Sequence, residues 1–314
     1  MAQPWKPYPF QERVAESLLR GQSIVLQAPT GSGKTAAALL PFLHARQHLR
    51  SEGFPRQCLY SVPLRVLVNQ FEAEYRKLVR QAGREDVLHV TAQTGDRPED
   101  PKFRGDLIFT TIDQTLSSVL GIPYALSRGQ ANLNAGAVIS SYLVFDEFHL
   151  FPIGDGSRAE GALVTTIHLL QLLKGITPFV LMTATFSSRM LAELAQLLEV
   201  EVVTVSPEEL AQIPSQQGKV RRYHVADGCL TADAVLKHLA NRTLVLCNTV
   251  ERAQALYQDL VARLGEKWRE RIILLHARFE QADREVKEER VRREFGKDKE
   301  AWSPEPLVLV ATQV

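Results

Sequence analysis

Ala28-Pro29-Thr30-Gly31-Ser32-Gly33-Lys34-Thr35 places two glycines, a lysine and three hydroxyls directly after an apolar run at 23–27. Gly31 and Gly33 free the backbone to turn N–H groups inward around phosphate oxygens, with Ser32 between them, and the helix that opens on Gly33-Lys34-Thr35 adds the positive end of its dipole. Lys34 is expected to reach the β- and γ-phosphates of a nucleotide, and the Thr35 hydroxyl to join the shell of a Mg²⁺ ion. About 110 residues later a second apolar run, 142–145, ends in Asp146-Glu147-Phe148-His149. There Asp146 would hold Mg²⁺, directly or through water, and Glu147 would polarise an attacking water as general base. The two runs together read as an ATP site at strand ends, where a doubly wound sheet binds its ligands.

Further residues gather around this pair. His149 is a candidate for coupling the ATP site to neighbouring loops, although a surface histidine would look the same in sequence. Thr183-Ala184-Thr185 follows the apolar run 179–182 and sets the hydroxyls of Thr183 and Thr185 at the next strand end, where they suit a relay. Upstream, Gln11 is spaced to read an adenine edge, and Tyr8 or Phe10 could stack on its face. For a polynucleotide, Arg65 lies where a strand end runs into a helix and can hold a backbone phosphate. Thr94-Gly95-Asp96 and Thr110-Thr111-Ile112-Asp113-Gln114 fill two more strand-end loops, so that Thr94, Gly95, Thr111 and Gln114 offer the donors that sequence-blind tracking needs. Asn248 and Arg278 hold corresponding places farther on. Any one of these loops could be a simple helix cap; their recurrence at successive strand ends favours a polynucleotide track. Two patterns are set aside: His44 and His48 have helical spacing but no third ligand, and the run 284–293 mixes Glu, Lys and Arg as a solvated helix would.

The elements that position these residues alternate strand and helix, which implies an α/β fold with a mostly parallel sheet wrapped by helices. Strands are expected at 23–27, 57–62, 87–91, 107–110, 142–145 and 179–182, with helices over 11–19, from 33, over 66–81 and over 158–174. This completes one domain, 1–205. A polar, Pro-containing stretch, 206–222, reads as a linker. A second alternating region, 223–314, has strands at 242–247, 272–276 and 307–311 and helices at 252–264 and 283–295; at this length it is expected to be incomplete.

With 314 residues, 45% of them hydrophobic and 23% charged, the composition is that of a globular protein with room for two cores. The 37 basic and 36 acidic residues nearly cancel, so a polynucleotide must be met by a local stripe. Three scattered cysteines without a C-x-x-C pair argue against a disulfide framework or zinc site, and fit a reducing, cytoplasmic setting. The most apolar stretch, 161–182, is broken by His168, Gln171, Lys174 and Pro178, so no membrane span is expected. No coiled-coil seam appears, and a monomer is the default.

In order and spacing, the phosphate loop, Asp146–His149, Thr94–Asp96, Thr110–Gln114, His276-Ala277-Arg278-Phe279 and the ending Leu309-Val310-Ala311-Thr312-Gln313-Val314 resemble helicase superfamily 2, and specifically the CRISPR-associated helicases of type I interference systems. The resemblance implies two RecA-like domains and an ATP-dependent translocase on single-stranded DNA that moves 3′ to 5′. It implies recruitment by a guide-RNA surveillance complex and action with an HD-type metal nuclease. No His-Asp dipeptide occurs in the chain, so that nuclease is expected on a separate chain or domain. Members of the family continue into an acidic and then a Gln/Arg-rich motif whose arginines meet the γ-phosphate. Without them, the chain is expected to bind nucleotide and to hydrolyse it poorly. Two other readings stay open: a different superfamily 2 DNA or RNA helicase, and a nucleotide-binding docking module with little turnover.

Overall fold

The structure, a computed structural model, describes residues 6–47, 53–151, 161–217, 224–225, 227–296 and 299–312. The chain forms two compact units, 1–220 and 221–314.

The first unit is built on seven strands: β1 Ile24–Gln27, β2 Cys58–Val62, β3 Val90–Gln93, β4 Leu107–Thr111, β5 Tyr142–Phe145, β6 Phe179–Thr183 and β7 Glu201–Thr204. Their order across the sheet is β3-β4-β2-β5-β6-β1-β7, and every pairing is parallel. Strands buried on both faces read as continuous apolar runs, and successive side chains go to opposite sides. Ile24, Leu26, Tyr60, Tyr142, Val144 and Met182 pack on one face. Val25, Leu59, Leu143, Phe145 and Leu181 pack on the other. Helices α1 Pro9–Leu19, α2 Lys34–Gln47 and α3 Arg65–Gln81 cover the first face. Helices α4 Ile112–Val119, α5 Ala131–Ser140, α6 Ala162–Leu172 and α7 Ser188–Leu198 cover the second. Because all seven strands run the same way, the loops after β1, β2, β3, β4, β5 and β6 share one edge of the sheet.

The stretch expected as a linker folds instead onto this unit through residue 217. Helix α8, Pro207–Ala211, starts with a capping box in which Ser206 and Glu209 satisfy each other's backbone N–H groups. Ile213 is buried in the first core, and Arg13 grips Glu209 with two bonds of 2.7 and 3.1 Å. Residues 218–222 of the expected linker lie outside the described ones.

The second unit carries α9 Ala232–Lys237, β8 Arg242–Cys247, α10 Val250–Leu264, β9 Ile272–Leu275, α11 Gln281–Phe295 and β10 Leu307–Thr312. The strands form a parallel sheet in the order β8-β10-β9. Helices α9 and α10 pack on one face, while α11 covers Ile273, Leu275, Leu309 and Ala311 on the other. No helix among the described residues is long and apolar enough to cross a membrane.

Candidate active site

The phosphate loop leaves β1 at Ala28 and enters α2 at Lys34. Gly31 and Gly33 adopt φ of +80° and +93°, the left-handed region that disfavours a side chain. A Cβ on Gly33 would meet Gln11 Nε2 at 2.7 Å. Lys34 is buried, and its Nζ donates to the Ala28 carbonyl at 3.0 Å. The Ser32 hydroxyl is buried with no hydrogen-bond partner among the described residues. An orphaned hydroxyl, two left-handed glycines and the free first amides of α2 fit a phosphate group.

Gln11 is engaged at both ends of its amide. Its Oε1 accepts from the Tyr8 N–H at 2.9 Å, and its Nε2 donates to the Gly33 carbonyl at 3.1 Å. The residue expected to read a base thus also holds the phosphate loop. Phe10 is fully buried in the core, whereas Tyr8, the other candidate stacking ring, is half-buried with its ring parallel to that of Phe10 at 6.4 Å. A second hold on the loop was not foreseen: Ser215 Oγ donates to the Gly31 carbonyl at 2.5 Å, and Gln216 Nε2 to that of Thr30 at 3.0 Å.

Asp146 stands just past β5 with 2% of its surface exposed. Its Oδ2 accepts from the Tyr60 hydroxyl at 2.6 Å and its Oδ1 from the Glu147 N–H at 2.8 Å. Burial pushes the Asp146 carboxyl up to about 6, against the Tyr60 bond, which favours the charged form. The same phenol lies 3.4 Å from Thr35 Oγ1, which brings the hydroxyl and carboxylate expected to hold Mg²⁺ around one group. Hard oxygen donors of this kind, one carboxylate and one hydroxyl, fit a cation that keeps most of its waters.

Among the described residues Glu147 is one of three non-glycine residues at positive φ, with φ 51° and ψ 40°. Such a conformation costs of order 1 kcal/mol or more and is held by its surroundings. Its Oε2 lies 3.5 Å from His149 Nδ1, and that nitrogen lies 3.3 Å from Thr183 Oγ1. The Thr185 N–H reaches Thr183 Oγ1 at 3.4 Å, and the Ala28 N–H donates to the Thr183 carbonyl at 3.2 Å. The acidic box, the threonine loop and the phosphate loop therefore meet in one hydrogen-bonded edge.

The expected polynucleotide contacts divide by exposure. Arg65, on the first turn of α3, is exposed and paired with Asp96 at 2.5 Å across Gly95. Thr94, Thr111 and Gln114 are buried, with the Thr94 hydroxyl accepting from the Arg97 N–H at 3.1 Å. Their side chains shape the loops and leave the exposed edge to Arg65, Gly95 and Asp96. In the second unit Asn248 is exposed after β8, and Arg278 is exposed and paired with Glu251 at 2.5 Å. The turn that carries Arg278 is set by His276, which is buried, stacks on Phe279 at 4.3 Å and accepts the Arg278 N–H at 3.3 Å. Tyr60, Ser215 and Gln216 were missed in the sequence. Tyr60 alone left a trace, as the one polar-tipped side chain pointing the same way as Cys58 and Val62 in an apolar strand.

Residues 8–194 match the family model for the DEAD/DEAH box helicases, and residues 240–314 match that for the C-terminal part of the CRISPR-associated nuclease/helicase Cas3. The CRISPR-associated helicase Cas3 of Thermoproteus tenax is 28% identical over 322 residues, covering 96% of this chain and 50% of that protein. An ATP-dependent RNA helicase, DDX52 of Bos taurus, is 25% identical over 272 residues, covering 81% and 41%. Among solved structures, T. fusca Cas3 with ATP superposes at a TM-score of 0.67 with 18% identity, covering 99% of this chain and 40% of that one. That likeness shows the fold, an α/β architecture of RecA-like helicase type. The chain spans half or less of the length of these relatives.

Proposed function

The chain belongs to the DEAD/DEAH box helicase family, and from that premise we propose that it is the ATP-hydrolysing core of a CRISPR-associated helicase that tracks along single-stranded DNA. The observation that supports this most is the Glu147–His149–Thr183 chain beside a phosphate loop whose lysine donates to a backbone carbonyl.

Lys34 would exchange the Ala28 carbonyl for phosphate oxygens when a triphosphate enters, while the loop amides and Ser32 take the remaining oxygens. Thr35 and Asp146 would hold Mg²⁺, which when bound offsets the charge of the β- and γ-phosphates. Glu147 takes the proton of the attacking water, and its strained backbone fixes where that carboxylate can stand. His149 links Glu147 to Thr183, and so links hydrolysis to the β6 loop. On the polynucleotide side, Arg65 and Arg278 each give up an exposed carboxylate partner to take a backbone phosphate. Exposed pairs are worth about 0–1 kcal/mol, so the exchange is cheap. We place a guide-RNA surveillance complex and a separate HD nuclease as partners, with the chain a cytoplasmic monomer.

Steady-state ATP hydrolysis with single-stranded DNA, single-stranded RNA or neither tests this reading, alongside Glu147→Gln. The expected result is DNA-stimulated turnover that the substitution lowers at least about 100-fold while nucleotide still binds. Stimulation by RNA alone would move the substrate to RNA, in line with the RNA helicase relative. Nucleotide binding with no turnover under any condition would replace the motor with a docking module.

A further inference from the structure

We propose that Tyr60 is a positioning residue of the metal site: its hydroxyl aims the Asp146 carboxylate and the Thr35 hydroxyl at one Mg²⁺ ion. The inference rests on the reading that Thr35 and Asp146 hold Mg²⁺, and adds a third group that holds them.

The ring needs no hydroxyl to pack. It lies fully buried, with the Phe71 and Phe109 rings at 5.4 and 5.3 Å, where phenylalanine would fill the same space. The hydroxyl is spent instead on a bond of 2.6 Å to Asp146 Oδ2. With the Glu147 N–H on Oδ1, both carboxylate oxygens are pinned, and each keeps lone pairs for a cation. A phenol has one proton. It points to Asp146 at 2.6 Å, and Thr35 Oγ1 accepts a longer second contact from the same hydroxyl at 3.4 Å, so one group stands against both candidate ligands.

The neighbours also fix Tyr60 itself. Strand β2 lies between β4 and β5, with Tyr60 in register with Val144, and the Asp146 N–H donates to the Ser61 carbonyl at 2.9 Å. The donor and the carboxylate are thus held by one stretch of sheet and cannot drift apart separately. Partners of this kind, which touch the ligands and not the metal, commonly carry about 10–100-fold in metal affinity.

The test uses the full chain and a fluorescent ATP analogue, titrated with Mg²⁺ and, separately, in EDTA. Tyr60→Phe is expected to leave binding in EDTA within about twofold and to raise the Mg²⁺ needed for half-maximal tightening by about tenfold or more. Hydrolysis lost at low Mg²⁺ should return at high Mg²⁺. In an Asp146→Asn background the same substitution should change little, because its target is gone. Equal Mg²⁺ dependence in wild type and Tyr60→Phe overturns the proposal, and so does an undiminished effect in the Asp146→Asn background. If the wild-type chain binds nucleotide with no response to Mg²⁺, the metal reading itself fails and this one falls with it.

Discussion

The two units solve the same problem, a parallel sheet wrapped by helices, with different materials. In the first, seven strands are covered on both faces, and Tyr60, Phe145, Tyr142 and Phe179 are buried completely or nearly so. In the second, β8 leaves Leu244 and Leu246 exposed by 55% and 62%, on the face that α11 covers only in part. What anchors the smaller unit is a charged hub. Arg242 and Glu294 pair at 3.1 Å, each with 7% of its side chain exposed. The Arg242 guanidinium also donates to the carbonyls of Glu294, Ser303 and Glu305 and lies 5.0 Å from the Trp302 ring. A deep apolar core can hold a buried carboxylate such as Asp146 at a set distance from its partners. In the second unit Asn248 follows β8 and Arg278 follows β9, both exposed.

The contrast can be broken most directly by truncating each anchor. Phe145→Ala should cost the first unit about 3–5 kcal/mol, seen as early loss of protection in hydrogen exchange across its sheet. Leu246→Ser, also a loss of apolar surface from a strand, should stay within about 0.5 kcal/mol in the second unit. Equal losses would mean that β8 is covered after all. Arg242→Ala should cost about 3 kcal/mol, because it takes one of two arginine partners from the buried Glu294 and leaves the Ser303 and Glu305 carbonyls without their donor, and denaturant unfolding followed by Trp268 and Trp302 fluorescence would record it.

The pH dependence of that hub is a finer probe. Burial pushes the Glu294 carboxyl up, but the Ser303 bonds and Arg293 outweigh it and hold the group below its ordinary 4.5. A depressed carboxylate adds stability above the ordinary value, and that stability is lost as pH falls through the folded one. Glu294→Gln should therefore flatten the acid limb of the second unit's unfolding below pH 4.5 and leave the first unit's unchanged. The smallest effect is expected at the surface. Arg65→Ala should weaken polynucleotide binding a few-fold and lower the slope of log affinity against log salt by about one, read by titration at several salt concentrations.

The strands and helices were more legible in the sequence than the contacts that tie the candidate site together. Strands β5 and β8 fall where the apolar runs 142–145 and 242–247 predict them; β5, buried on both faces, reads as one continuous apolar run. Strand β3 runs Val90–Gln93 and not 87–91: the Val87 and Leu88 N–H groups close a turn onto the Arg84 carbonyl, and pairing with β4 carries on to Gln93. Strand β7, an edge with alternating exposure, gave no apolar run to read. The partners of the site were hidden for another reason. Tyr60 lies 86 residues from Asp146, and Ser215 lies 184 from Gly31. Such pairs meet only once the strand order is known, and no local pattern encodes it. The linker misreading has the same root: a polar composition does not reveal that Arg13 waits for Glu209.

Gly33 limits how the protein can change. At φ +93° it has no room for a side chain, and the first atom in the way belongs to Gln11, which itself holds the Gly33 carbonyl. The two positions are thus locked in epistasis. A smaller residue at 11 opens the space but releases the loop, and a larger one at 33 keeps neither. A lineage or a laboratory library can cross that valley only by replacing both at once, so this corner of the fold should vary more slowly than the chemistry alone demands.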